Sequence, residues 1–330
     1  MKRAGVIINP LSGGSNTRGR ALAEALRAAG HEKDVRLVLL EHFESLFPAL
    51  REMTESGLHT LFISSGDGTI QAIQTWLAET LPRERLPRLV LLPHGSTNMT
   101  AADLGFRQRD IRDQRDFILS RRWTEEGSLE TVARPTLRLA NPASGQPLHG
   151  MFLGGGAIAR GTLFCQERFN RKGVRGDWLA PALTLAAAAG RAILGGPADP
   201  EDEDRLDRPA PMTVRADGQL TSDGLHVAVL ATTLEKLVFG ARPFLPGGTE
   251  KLKVGVFAHP PPSLVRWLPV LLWGRKKGRT WPESIRLLHA DRLEIATTAP
   301  FILDGEQVMP PAAAPLQVEI GPRFTYIRGG

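Results

Sequence analysis

Apolar runs of strand length alternate with amphipathic stretches over the first third of the chain. Residues 5–8 (GVII), 35–40, 60–64 and 89–92 are short and almost wholly apolar, as strands buried on both faces require. Between them, residues 18–29, 43–55 and the stretches following Thr69 and Asn98 place alanine and leucine at helical spacing, and Gly30 supplies a stop. A strand-then-helix order repeated in this way predicts a parallel, doubly wound α/β sheet. One more helix is expected over 110–120. Beyond it glycine and proline become frequent, and strand-length runs recur at 136–140, 149–156, 212–216, 226–233, 252–257 and 292–298, the pattern of an all-β sandwich. The boundary is placed near Arg122, giving an α/β nucleotide domain (1–122) and a β-rich lipid-substrate domain (123–330) whose tail is free to return to the first. The alanine-rich stretch 177–194 is expected to be a helix, and the acidic, proline-rich stretch 199–211 an exposed loop.

The chemistry gathers at two strand ends. In LFISSGDGT (61–69) an apolar run stops at a glycine-flanked aspartate and a helix-compatible segment follows. Gly66 and Gly68 permit a close approach of backbone, and the helix would aim its free N–H groups at an anion, most naturally a phosphate. Asp67 would repel that phosphate unless a divalent cation lies between them or the carboxylate takes a proton from an attacking hydroxyl. Both cases point to phosphoryl transfer. Taken alone, the stretch also reads as an ordinary turn with a capping aspartate. LVLLPHGSTN (89–98) repeats the design, so two parallel strands would end at one polar, glycine-lined crevice.

INPLSGG (8–14), SSGDGT (64–69), LPHGSTNMTAADLG (92–105) and LDGE (303–306), in that order, resemble the diacylglycerol kinase catalytic-domain family, which includes bacterial lipid kinases and sphingosine and ceramide kinases. The resemblance implies ATP-dependent phosphorylation of a diacylglycerol-like or sphingoid lipid hydroxyl, on a two-domain fold shared with NAD kinases. It implies that Asn9, Ser12, Gly13, Ser65, Gly66, Asp67, Gly68, Thr69, Gly95, Ser96, Thr97 and Asn98 hold ATP, with Mg²⁺ reaching Asp67 through the nucleotide. It also implies a base at Glu306, with Asp304 and Gly305 shaping its turn beside the substrate, as in the bacterial branch, or at Asp67, as in the sphingosine kinase branch. Charge logic favours Glu306 for the proton and Asp67 for Mg·ATP. By local signal alone, Asp304-Gly305 is a hairpin turn.

The chain departs from the family pattern at several places. Met99 stands where an aspartate is usual, TLRL (136–139) and GTEKLK (248–253) lack the expected carboxylates, and Ser15-Asn16 replaces a common lysine. The expectation is a protein without a second, structural metal. An NAD kinase-like enzyme and a degenerate nucleotide- or lipid-binding regulator are the alternatives.

Composition narrows the setting. Hydrophobic residues make up 42% and charged residues 23% of 330 residues, enough for two cores. Cys165 stands alone, which excludes an intramolecular disulfide and fits a partly buried thiol. The net charge of +6 suits anionic surfaces, but the chain lacks a nucleic-acid-binding signature, so the expected partner is lipid and not nucleic acid. The expected location is the cytoplasm, with peripheral contact at the inner membrane face; homodimerisation is left open. RWLPVLLWGRKKGRTW (266–281) reads as a packed helix and basic turn, with a membrane-interface seat as the alternative.

Overall fold

The computed structural model describes all of the chain except residues 1, 13–14, 31–33, 95–98, 126, 173–195, 203–204, 238–239, 245–249, 262–280 and 330. The expected helix over 177–194 and the tryptophan- and lysine-rich stretch 266–281, all but its last residue, lie outside the described residues. The chain divides into two compact units, residues 1–136 with 322–330, and residues 137–321.

The first unit follows the alternation of its apolar runs. Strands β1 (Arg3–Ile8), β2 (Val35–Leu39), β3 (Leu58–Ser64) and β4 (Arg88–Leu92) pair in parallel in the order β2-β1-β3-β4. Helices α1 (Thr17–Ala28), α2 (Leu46–Glu55) and α3 (Asp67–Thr80) make the crossovers, and α4 (Met99–Leu104) and α5 (Ile111–Leu119) follow β4. Val6, Ile8, Phe62, Val90 and Leu92 pack one sheet face against Leu22 and Leu26 of α1 and Phe117 and Ile118 of α5, all at most 6% exposed. The fully buried Trp123 closes this core, its indole donating to the Ile118 carbonyl at 2.8 Å. From β1 the chain turns to β2 on one side and to β3 on the other. A ligand crevice is expected at such a reversal of winding, outside the carboxyl ends of β1 and β3.

The second unit is antiparallel. Its strands are β5 (Glu130–Leu139), which begins in the first unit, β6 (Leu148–Gly150), β7 (Phe152–Gly156), β8 (Ala210–Ala216), β9 (Gln219–Thr232), β10 (Leu252–Ala258), β11 (Ile285–Ala290), β12 (Arg292–Ala296), β13 (Phe301–Leu303), β14 (Glu306–Val308) and β15 (Leu316–Gly329). The long β9 is the spine: its first half pairs with β8 and its second half lies between β7 and β10. Inward residues of alternate positions, among them Val214, Val229, Val254, Leu293 and Val318, form one core.

Several elements, α6 and β15 among them, were not assigned in the sequence reading. A helix, α6 (Ala157–Lys172), follows β7 directly where no helix was expected, because Gly156 takes φ 67° and turns the strand into it. β15 covers a stretch to which the sequence reading assigned no strand; its last residues leave the second unit and Tyr326 pairs in parallel with Leu89 of β4. The stretch 199–211 is mostly loop, yet Asp207 is buried and paired with Arg205 at 2.7 Å.

Candidate functional site

At the carboxyl edge of the parallel sheet three loops are tied into one frame. Asn9 ends β1: its amide Nδ2 donates to Thr69 Oγ1 on α3 at 3.0 Å, its Oδ1 accepts the Leu11 N–H, and its own N–H reaches the Ser64 carbonyl. Asn16 caps α1 by accepting the Gly19 N–H at 2.7 Å, while its Nδ2 lies within 3.1 Å of the Asn9 carbonyl, the Ser64 carbonyl and Ser64 Oγ. A Cβ on Gly19 would stand 2.5 Å from Asn16 Nδ2 and 2.6 Å from Ser64 Oγ, so this approach needs glycine.

Ser64 Oγ is also 2.8 Å from Nδ1 of His94, the first residue beyond the β4 turn. The geometry resembles a serine–histidine dyad, but both residues are buried. Burial pushes the His94 pKa from 6.5 down to about 4, and the nearby Arg18 guanidinium adds to this; the Gln114 carboxamide opposes it without closing a hydrogen bond. His94 is therefore a neutral imidazole sharing a hydrogen bond with the Ser64 hydroxyl, a strut between the ends of β3 and β4.

Asp67 opens α3. Its Oδ2 accepts the Met99 N–H at 2.9 Å and its Oδ1 the Thr100 N–H at 3.0 Å, so the carboxylate caps α4. Gly66 precedes it at the N-terminus of α3; a Cβ there would lie 2.9 Å from Ser12 Oγ, which measures how closely the β1 loop and this turn approach. Ser65 is fully buried, and its hydroxyl, like that of Thr100, finds no partner among the described residues. Thus Asn9, Ser12, Ser65, Gly66, Asp67, Gly68 and Thr69 come together at one edge. Gly13, Gly95, Ser96, Thr97 and Asn98 lie outside the described residues.

In the second unit, Asp304 and Gly305 form a two-residue hairpin turn between β13 and β14, with φ of 48° and 98°. Both values are positive, as a type I′ turn demands. The Asp304 carboxylate faces inward, 4% exposed, and accepts the Met151 and Phe152 N–H groups at 2.8 and 2.9 Å. It holds the turn. Glu306 is exposed, and Gln166 of α6 donates to the Gly305 carbonyl beside it at 2.6 Å. Cys165 on the same helix is partly buried, and burial raises its thiol pKa.

Where the family pattern would have carboxylates, basic side chains stand here. Arg138 of the TLRL stretch pairs with Glu319 at 2.6 Å. Lys253, 1% exposed, places its ammonium 2.6 Å from Glu235 and 3.2–3.4 Å from the Leu234 and Thr233 carbonyls. No group of three or more histidine, cysteine or acidic residues is arranged to hold a metal ion among the described residues.

Sequence reasoning did not assign Asn16, Ser64 or His94 to the site. Asn16 carried a signal, since an asparagine directly before a helical stretch is a strong N-cap. His94 carried none, for its role depends on strand neighbours thirty residues apart.

Residues 3–127 match the family described as the diacylglycerol kinase catalytic domain. No curated protein matches the chain. Among solved structures, a diacylglycerol kinase from Bacillus anthracis str. Sterne superposes with a TM-score of 0.61 at 18% identity, covering 99% of this chain and 97% of that one. Two further structures from the same strain give 0.62 at 18% and 19% identity with the same coverage. At such identity the likeness is one of fold, and it extends over both units.

Proposed function

We propose, from the match of residues 3–127 to the diacylglycerol kinase catalytic-domain family, that the protein is an ATP-dependent kinase of a lipid hydroxyl. The observation that carries the reading is the frame at the carboxyl edge, where Asn9–Thr69, Asn16–Ser64–His94 and Asp67–Met99/Thr100 hydrogen bonds lock three loops around the reversal point of the sheet. Catalysis of phosphoryl transfer is largely positioning and charge neutralisation, and a rigid set of backbone N–H groups suits it.

In this reading Gly66 and Gly68 bring backbone to the phosphates at the α3 N-terminus, and Asn9 and Ser12 bound the facing side. The residues fit Mg²⁺ that arrives with the nucleotide: each Asp67 oxygen accepts a single N–H and keeps a lone pair, whereas no all-protein cage exists among the described residues. When bound, that ion neutralises phosphate charge. Glu306, exposed and one residue beyond a fixed turn, accepts the proton of the acceptor hydroxyl.

The test is mass spectrometry of lipids that gain phosphate when the protein, Mg·ATP and a total membrane extract are mixed, run beside a reaction with NAD. Phosphorylated lipid, lost in Glu306→Gln with ATP affinity kept, is expected. Phosphorylated NAD would replace the reading with an NAD kinase-like one. ATP binding with neither product would replace it with a regulatory, non-catalytic one.

A further inference from the structure

Large apolar side chains left in solvent need a reason, and the first unit has a pair of them beside the candidate site. Phe43 is 47% and Phe47 38% exposed, while Leu46, Ala49, Leu50 and Met53 turn the other face of α2 into the core. The two rings have centroids 6.1 Å apart and planes at 87°, an edge-to-face pair. Each ring steadies the other, and ring surface remains open to a ligand.

Their place follows from the sheet. β2 ends at Leu39, level with Ile8 at the end of β1, so Phe43, in the 3₁₀ turn Phe43–Ser45, lies beyond the same carboxyl edge as Asn9 and Gly66. β1 stands between β2 and β3. Two interstrand spacings, roughly 10 Å, therefore separate the end of β2 from the start of α3. A nucleotide whose phosphates meet the α3 N-terminus spans that distance with its ribose and brings its base over β2. Leu11, 64% exposed, stands on the intervening β1 loop.

The charges nearby favour a base over a lipid surface. Glu41 and Glu44 flank Phe43, are exposed, and make no ion pair or side-chain hydrogen bond among the described residues. Carboxylates there repel phosphates and the anionic headgroups of a bilayer, yet they accept hydrogen bonds from an exocyclic amine. Every base has a π face, and an aromatic side chain holds it by stacking. We propose that Phe43, braced by Phe47, is the platform on which the nucleobase of the bound nucleotide stacks, an inference that rests on the kinase reading of the same edge.

The test separates base from phosphates. ATP and inorganic tripolyphosphate, which carries the phosphates alone, are titrated calorimetrically with Mg²⁺ into the full chain and into Phe43→Ala and Phe43→Trp, with melting temperatures to establish that each is folded. ATP should bind the parent more tightly than tripolyphosphate does. Phe43→Ala should weaken ATP about tenfold and leave tripolyphosphate unchanged. In Phe43→Trp, ATP affinity should be kept and the introduced indole quenched by ATP but not by tripolyphosphate. Unchanged ATP affinity in folded Phe43→Ala, an equal loss for both probes, or an unquenched indole overturns the proposal. Sedimentation and flotation with phosphatidylcholine–phosphatidylglycerol vesicles are run on the same samples. Loss of a dimer or of flotation in Phe43→Ala with parental ATP affinity would assign the rings to self-association or to a membrane, and overturns the stacking role. A parent that binds both probes equally well overturns this proposal alone, whereas a parent that binds neither overturns the kinase reading with it.

Discussion

Replacing Asp67 by asparagine should destabilise the protein as well as disable it. The side chain keeps its size but exchanges one acceptor oxygen for an NH₂. Of the two hydrogen bonds it makes, to Met99 N at 2.9 Å and Thr100 N at 3.0 Å, one survives, and the other becomes a donor facing a donor. Hydrogen bonds to a charged partner contribute about 1.5–3 kcal/mol each, and the lost charge removes a further ~0.3–1 kcal/mol at the α4 N-terminus. A loss of about 2–3 kcal/mol follows, since Asp67 is partly exposed. At ~2–4 °C per kcal/mol for domains of 150–250 residues, the melting temperature should fall by roughly 5–10 °C. The assay is thermal unfolding followed by circular dichroism, paired with ATP binding on the same sample. Asp67→Ala, which removes both acceptors, should fall further. If both variants melt within about a degree of the parent while turnover is abolished, the carboxylate is not a latch and the reasoning fails.

Acid should loosen the His94 strut. Its pKa is depressed from 6.5 to about 4 in the folded state, so the stability gained by keeping it neutral is complete above 6.5 and lost as pH falls towards 4, to a total of about 3 kcal/mol; urea unfolding across that range should show the slope, and His94→Gln should flatten it. Asp304→Ala removes the acceptor of the Met151 and Phe152 N–H groups and should lower urea stability by about 2–4 kcal/mol. Lys253→Met leaves Glu235 and two carbonyls without their cation; a loss of about 3 kcal/mol is expected, and a further Glu235→Gln change should recover part of it.

The parallel half of the fold was legible because strands buried on both faces must be apolar throughout and their crossovers must be amphipathic, so GVII, LFIS and LVLL announce themselves. The antiparallel strands at 212–216 and 292–296 were legible through alternation. β15 was unassigned, and Gly321-Pro322 in its middle interrupts any clean local alternation. α6 was hidden for a different reason: it starts directly from the glycine-rich end of β7, and its position depends on that turn rather than on a cap. At the candidate site, Ser12, Ser65, Gly66, Gly68 and Thr69 lie at one edge, but their mutual ties could not be read. Asn9 to Thr69 and Ser64 to His94 are contacts of strand order, and strand order is set by which edge each crossover returns to.

Asp67 and Asp304 show why a motif does not by itself assign chemistry. Both sit beside glycine in turns, and a glycine-rich turn has too little side-chain contact to hold its own shape. In each case the carboxylate spends both oxygens on two consecutive N–H groups of a distant segment, Met99 and Thr100 in one unit and Met151 and Phe152 in the other. The aspartate is thus what makes the turn usable, whatever happens on the turn afterwards. Glu306 is different: it is exposed, and no hydrogen bond or ion pair engages its side chain among the described residues. A carboxylate that has no structural partner to lose can be removed with little effect on stability, so loss of turnover in Glu306→Gln reports on chemistry, whereas the same loss in Asp67→Asn must first be separated from unfolding.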